Sequence, residues 1–265
     1  LPLRESDDSD TPVPFNYDFQ VDWGDGSAPS TVTSFDALDR VHTYDAAGDY
    51  TVVITGLMEA VSFYEENCSQ LIEIPNLGAV GWKSFNRSFY GCRSLRLVAG
   101  GDTSSVTDMG SMFSGAMRAT PSTSGWDTSS VTDMSEMFSG ATGANPDTSS
   151  WDTSSVTDMS LMFREATSAN PEVSSWDTSS VTDMRSMFNY ASSANPDVSG
   201  WDTSSVTDMR VMFAETTSAN PDTSRWDTSS VTSMILMFCE ARSANPDVSS
   251  WDTSSVTSMR YMFNG

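Results

Sequence analysis

The stretch that decides the fold runs from Trp151 to Trp176 and reads Trp-Asp-Thr-Ser-Ser-Val-Thr-Asp-Met-Ser-Leu-Met-Phe-Arg-Glu-Ala-Thr-Ser-Ala-Asn-Pro-Glu-Val-Ser-Ser-Trp. Its opening heptapeptide recurs every 25 residues without insertion, and a version lacking the tryptophan begins at Gly101. The repeats start at Trp126, Trp151, Trp176, Trp201, Trp226 and Trp251. Because a register error would move side chains off the core that stacked neighbours share, this fidelity predicts that each unit is one coil of a solenoid.

The first half of each unit has the spacing of a short helix. Its apolar residues advance by three, four and three positions, at Val156, Met159, Phe163 and Ala166. Such spacing places side chains on one helical face. Ser155 and Asp158 are three residues apart in the arrangement of a capping box, which predicts that they cap the first turn of this helix.

The second half of each unit alternates as a strand does. In the segment 169–176, Pro171 and Val173 are expected to point inward with Trp176, while Glu172 points outward. The Thr-Ser-Ser run after each tryptophan is typical of a turn. The prediction is therefore a mostly β protein with short helices, in which right-handed 25-residue coils fill residues 101–265.

Apolar columns account for most of the expected core. Stacked Met and Phe residues at Met159, Met162 and Phe163 and their equivalents favour core packing over a soft-metal or ligand strip. The Trp column favours burial as well. The alternative is an exposed aromatic ladder that stacks on sugar rings.

Two columns of carboxylates are the candidate functional residues. Members of one column should lie roughly 5 Å apart, so their charges repel unless cations or hydrogen-bond donors intervene. The column on the outer strand face is a candidate for binding a ligand or cation, and calcium is the ion that it suggests, with no other cofactor predicted. The column after the tryptophans is interpreted as carboxylates that accept N–H bonds in a turn. The first column is Asp147, Glu172, Asp197, Asp222 and Asp247, and the second is Asp127, Asp152, Asp177, Asp202, Asp227 and Asp252.

Three cysteines are too few for a disulfide scaffold and lack the spacing of a metal site. Cys68 and Cys92 lie 24 residues apart, close to one repeat. Equivalent positions of stacked coils would be about 4.8 Å apart, which permits a disulfide. A bridge and two buried thiols both remain open at this point, and Cys239 is a single further cysteine.

Composition excludes several partner classes. The 265 residues carry 36 acidic and 13 basic side chains, a net charge of −23 that repels nucleic acid and anionic lipid. Residues 67–101 are the exception, with 4 basic and 1 acidic side chains. Since the chain has no run of about 20 apolar residues, direct membrane insertion is not expected.

The N-terminal part differs from the repeats. Residues 1–12 form a separate segment, and residues 13–60 contain Phe15 to Gly26 and Tyr50 to Gly56, which alternate or are β-branched as strands are. The motifs Val-Asp-Trp-Gly-Asp-Gly-Ser at 21–27 and His-Thr-Tyr-Asp-Ala-Ala-Gly-Asp-Tyr-Thr-Val at 42–52 resemble a polycystic-kidney-disease-type (PKD-like) domain. That resemblance implies an immunoglobulin-like β-sandwich of an extracellular protein.

Residues 61–100 are interpreted as two degenerate entry coils. From residue 68 onward, the Val-Thr-Asp-Met-Ser-Leu-Met-Phe core at 156–163 and its equivalents resemble the BspA-type leucine-rich repeats of bacterial surface proteins. Pro, Val and Thr stand where that family carries strand leucines. The resemblance implies a leucine-rich-repeat-like solenoid on a secreted or cell-surface protein, often an adhesin, without catalytic activity.

The predicted function is adhesion or surface interaction through a repetitive solenoid face, with a protein or a glycan on a cell or matrix surface as partner. An alternative is a structural stalk or filament subunit that self-assembles end to end, since the sequence stops at Gly265 within a repeat and more chain or a partner is expected there. An ice- or polysaccharide-binding face of Ser and Thr is a third alternative. No enzyme is predicted, because His42 is the single histidine and is expected to pack in the β-domain.

Overall fold

The computed structural model describes residues 1–8, 11–64 and 68–265. Residues 9 and 10 of the N-terminal segment and 65–67 of the entry coils lie outside the described residues. The described chain is mostly non-helical, with few strands and a short 3₁₀ turn, Leu38–Arg40. The strands are β1 (Tyr17–Asp22), β2 (Ser30–Val32), β3 (Val53–Met58), β4 (Glu73–Ile74) and β5 (Leu97–Val98).

Residues 13–60 hold a three-stranded antiparallel sheet in the order β2-β1-β3. Phe19 in the central strand pairs with Val32 on one side and with Gly56 on the other. Alternation along β1 buries Tyr17, Phe19 and Val21, which form the core of this part, and exposes the residues between them. The second sheet of a sandwich stays a prediction.

The sheet continues directly into the entry coils. The Met58 N–H at the end of β3 donates to the carbonyl of Val80 at 2.8 Å, and Ala60 forms a parallel bridge with Ser84. Strands β4 and β5 pair in parallel one unit apart. A disulfide joins Cys68 and Cys92, whose Cα atoms lie 5.2 Å apart, so the two entry coils are covalently linked across the unit boundary.

The 25-residue units stack on one another in parallel register. A chain of parallel bridges connects equivalent positions in consecutive units, one bridge per unit boundary. The bridges run through Ser84, Asp108, Asp133, Asp158, Asp183, Asp208, Ser233 and Ser258. Each unit therefore offers the same backbone edge to the next.

The helix predicted over 156–166 is wrong, because this segment is a series of consecutive turns. Leu161 and Glu165 have φ angles of 56° and 59°, in the left-handed region that interrupts a right-handed helix. The predicted capping box is wrong too. Asp158 accepts the N–H of Ser160, and the Ser155 hydroxyl donates to the carbonyl of Ser129 in the preceding unit.

Alternating backbone donors explain why no helix forms. The N–H groups of Met159, Leu161 and Phe163 donate to carbonyls of the following unit at 2.9–3.1 Å. Of the N–H groups between them, that of Ser160 donates to the Asp158 carboxylate at 2.7 Å, and that of Met162 closes a turn onto the carbonyl of Met159, three residues back. Half of the N–H groups in this arc thus hold the stack together, and an α-helix would have used them within the unit.

The strand predicted over 169–176 is also wrong. Its side chains alternate as expected, with Pro171, Val173 and Trp176 buried and Glu172 exposed. The backbone, however, does not pair as a ladder, because contacts between units on this side use side chains. The N–H of Asn170 donates to the side-chain oxygen of Asn145 in the preceding unit at 2.9 Å.

Burial of the apolar columns is confirmed. Phe113 and Phe138 are fully buried and lie stacked with ring centroids 5.5 Å apart, and both Met columns are buried through Met237. Trp176 is 3% exposed, and its indole N–H donates to the carbonyl of Thr148. In the last unit, Met259 and Phe263 are 46% and 55% exposed.

Phe163 tests the stacked core. We expect Phe163→Ala to lower the free energy of unfolding by about 3–5 kcal/mol, because the ring is fully buried between two other rings and its removal leaves a cavity. Urea denaturation followed by tryptophan fluorescence measures the change. Thr167→Ala, an exposed site in the same unit, should shift stability by less than about 0.5 kcal/mol. Equal losses in both variants would contradict the stacked core.

A substitution at Val211 tests whether the left-handed backbone positions are strained. The Val211 φ of 61° is strained for a β-branched residue. Because asparagine tolerates this region, Val211→Asn should raise the free energy of unfolding by about 1 kcal/mol. The matched control is Val206→Asn, which replaces a fully buried valine that does not have a positive φ and should destabilise the protein. A drop in the melting temperature of Val211→Asn would argue against the strained turn.

Candidate functional site

The exposed faces of the stack carry the candidate site residues. The carboxylates after the tryptophans each accept the N–H of the serine two residues on, as Asp152 does from Ser154 at 3.0 Å. The Ser154 hydroxyl donates to the same oxygen at 2.6 Å. The same backbone bond is made by Asp127, Asp177, Asp202, Asp227 and Asp252. These residues therefore close a turn in every unit.

The column on the other exposed face has the same local geometry. Asp197 accepts the N–H and the hydroxyl of Ser199 at 3.1 and 2.7 Å. Equivalent backbone bonds hold Asp147, Asp222 and Asp247, and Glu172 is the exception. All five side chains are exposed. One oxygen of each aspartate is engaged in the turn, and the second oxygen retains its capacity to accept.

These serine bonds shift the acidity of the carboxylates. Hydrogen bonds from the serine hydroxyl and then from the serine N–H lower the pKa of Asp152, Asp177 and Asp197 below the ordinary value. Donors that favour the charged form have this effect. These three aspartates consequently keep their negative charge into more acidic solution than a free aspartate does.

Calcium was the ion suggested by the carboxylate columns. Within the described ranges, no group of three or more His, Cys, Asp or Glu side chains has an arrangement that could hold a metal ion. Successive members of a column belong to different units, and their inner oxygens already accept serine donors.

Hydroxyl groups bind one unit to the next. The buried Thr148 and Thr153 hydroxyls donate to main-chain carbonyls of the following unit at 2.6 and 2.9 Å. On the exposed face, the Thr157 hydroxyl donates to the carbonyl of Thr132 at 3.2 Å. The proton of each of these hydroxyls is already committed within the protein, so an ice- or polysaccharide-binding face would have only their acceptor lone pairs.

A third carboxylate column was missed in the sequence because Asp158 was assigned to a helix cap. It consists of the bridge residues from Asp108 to Asp208, and each accepts the N–H two residues on, as Asp183 does from Arg185. Burial raises the pKa of Asp183, against the opposing effect of that N–H and of the Arg185 charge. The Val-Thr-Asp-Met pattern, in which Asp lies between an exposed threonine and a buried methionine, was the available signal.

His42 packs in the β-domain, as predicted. It lies stacked on Trp23 with centroids 4.9 Å apart and meets Tyr44 edge-on at 4.7 Å. Its Nε2 is 2.7 Å from a carboxylate oxygen of Asp25. The pKa of Asp25 is lowered mainly by the hydroxyl and N–H of Ser27, and then by His42.

Among the described residues, no helix is both long and apolar enough to cross a membrane.

The turn carboxylates predict a specific pH response. A group whose pKa is lowered on folding stabilises the folded state above its unfolded value, here 3.8, and loses that contribution as pH falls through the folded value. Replacing Asp152, Asp177 and Asp227 with Asn should therefore flatten the loss of stability below about pH 4. Thermal unfolding from about pH 2.5 to pH 6 measures it.

The control variant replaces Asp39, Asp45 and Asp49 with Asn. These residues are exposed, so the variant has the same net charge without altering the repeat turns. If both triple variants show the same acid profile, overall charge rather than the turn bonds governs the response.

Comparison with known proteins gives one family. The family model described as "Mycoplasma protein of unknown function, DUF285" matches residues 83–197 and, in an overlapping second match, 165–265. No curated protein matches the chain, and neither does any solved structure. The two matches together cover the entire repeat region from the second entry coil onward, which is more than half of the sequence. The chain therefore belongs to the DUF285 family.

Proposed function

We propose that this chain is an extracellular, non-enzymatic surface protein that mediates adhesion through a repeated face of its stack. The observation that carries the proposal is that equivalent carboxylates are exposed once per unit, in register, above an invariant apolar interior. Such a surface offers many identical weak contacts in a row, and multivalent contact raises avidity without any single tight site.

The architecture that we propose is a right-handed leucine-rich-repeat-like solenoid following an immunoglobulin-like, PKD-like domain. Parallel bridges between consecutive units support the solenoid, and the antiparallel order β2-β1-β3 supports the β-domain. The resemblance to BspA-type repeats supports a cell-surface or secreted location. Its partner is a protein or a glycan on a cell or matrix surface.

The outer column of carboxylates is the proposed binding face. Asp197, Asp222 and Asp247 are exposed in three consecutive units. Their negative charge favours partners that present cations or hydrogen-bond donors. The column after the tryptophans serves as a comparison, because its turn geometry is the same and it lies on a different stretch of each unit.

Binding to immobilised matrix proteins and glycans tests the proposal. We expect the wild-type chain to bind at least one member of such a panel, and we expect replacement of Asp197, Asp222 and Asp247 by Asn to weaken that binding by roughly tenfold or more. Asparagine keeps an oxygen that accepts the serine N–H, so the turns are preserved. Surface plasmon resonance measures the affinity.

The matched control replaces Asp152, Asp177 and Asp202 with Asn. It removes the same charge from the same number of consecutive units and should retain binding. The proposal fails if the wild-type chain binds nothing on the panel, or if the two triple variants lose affinity equally.

A further inference from the structure

A cluster of basic and apolar side chains stands out where the entry coils meet the first repeat of this acidic protein. We name it the basic patch, and it consists of Arg93, Arg96, Arg118, Ile72 and Met117. All five are exposed, with Ile72 and Met117 at 43% and 45%. It falls at the part of the chain where the net charge turns positive, in a molecule of net charge −23.

Backbone pairing brings these residues together. The N–H of Arg96 donates to the carbonyl of Ile72 at 2.8 Å, and the carbonyl of Arg96 accepts the N–H of Thr120 at 2.7 Å. Arg93 and Met117 each donate their N–H to the carbonyl two residues earlier, which places them at equivalent turns of adjacent units. Three consecutive units thus contribute to one corner of the stack.

The charges of the basic patch are available to a partner. Within the described part of the chain, Arg93, Arg96 and Arg118 form no ion pair, whereas Arg185 and Arg210 each pair with a neighbouring aspartate. Arginine and methionine together are enriched in the buried centres of protein interfaces. The patch therefore has the composition of a docking surface.

The same molecule carries a complementary surface. The outer column of carboxylates, from Asp147 to Asp247, presents one exposed negative side chain per unit. Consecutive carboxylates of this column are one unit apart. The buried Phe rings give the spacing of the units, because their centroids lie 5.6 Å apart both at Phe89–Phe113 and at Phe138–Phe163. The arginines of the basic patch come from two adjacent units of the same stack, so they can lie opposite more than one carboxylate of the column.

We propose that the basic patch of one copy docks on the outer carboxylate column of a second copy. The inference rests on the proposed function in taking that column as a binding face, and it names one partner for it. Since the two surfaces are different parts of the chain, the contact is heterologous and can continue from copy to copy. Self-association should then give species larger than dimers.

Net charge does not forbid this contact. Charges farther apart than about 8 Å are largely screened at physiological ionic strength, while directly opposed charges in the contact still attract. An anionic polysaccharide is a less favourable occupant of the basic patch, because the repeats beside it carry 21 acidic and 7 basic side chains from residue 102 to residue 265.

Sedimentation velocity of the full chain over a range of concentrations tests the proposal. We expect the mass of the wild-type protein to rise with concentration at about 150 mM NaCl and less so at about 500 mM. A patch variant has Arg93, Arg96 and Arg118 replaced by Glu, and a column variant has Asp197, Asp222 and Asp247 replaced by Lys. Each variant alone should associate at least roughly tenfold more weakly than the wild type.

Mixing the two variants is the decisive measurement. The intact patch of the column variant can dock on the intact column of the patch variant, so association should return in the mixture, a recovery that misfolding of either variant cannot produce. A wild-type chain that stays monomeric at every concentration overturns the proposal, as does a mixture that does not associate. Binding of heparin to the patch without self-association assigns it to a polyanion instead.

These outcomes are separable from those of the proposed function. Binding of the wild-type chain to an immobilised surface partner, with loss in the Asp197, Asp222 and Asp247 variant, would leave the adhesive face intact even if no self-association is seen.

Discussion

The structure depends on one alternation of backbone hydrogen bonds. Along the arc from Met159 to Glu165, every second N–H donates to a carbonyl of the following unit, and the N–H groups between them close local turns. This alternation requires left-handed backbone at two places in each unit. The first place holds residues other than glycine throughout, such as Ser111 and Leu161, and the second holds glycine in the early units and larger residues such as Tyr190 and Glu215 later on. The result is a row of hydrogen bonds between units that needs no continuous strand. The same backbone geometry lets the Met and Phe side chains between the left-handed positions point into the interior. The core is thus a consequence of the turns.

On the opposite side of each unit, hydrogen bonds that involve side chains connect one unit to the next. There the buried threonines and the asparagine column link consecutive units through bonds between side chains and main chain. This explains why exposed Ser, Thr and Asn residues are nearly invariant from unit to unit, since each replaces a backbone bond of a regular sheet. It also bears on function. Positions at which the units differ, such as Arg185, Arg210 and Ile235, carry no such link through their side chains between units, and they are free to adapt the outer surface.

Much of this could be predicted from the sequence, and the rest could not for physical reasons. The period, the buried columns and the outward carboxylates follow from exact repetition, because equivalent residues of stacked units have equivalent surroundings. The helix at Val156 to Ala166 was wrong because a spacing of three and four residues also describes consecutive turns that bend around a core. The period of the apolar residues shows which side chains face inward. It does not show whether a backbone N–H bonds within its own unit or to a neighbouring unit. The partial burial of Asp183 likewise depends on neighbours that only the folded stack brings near.

The in-register bridges have a consequence for how such a chain changes over time. Each unit is bonded to the unit before it and to the unit after it at fixed positions, from Ser84 through to Ser258. Loss or gain of a residue at a position that makes these bonds would disturb the pairing of that unit with its two neighbours, whereas loss or gain of an entire unit leaves all remaining pairs intact. The length of this protein can therefore change readily in whole units, and relatives of different length can arise by duplication or deletion without a new core having to evolve.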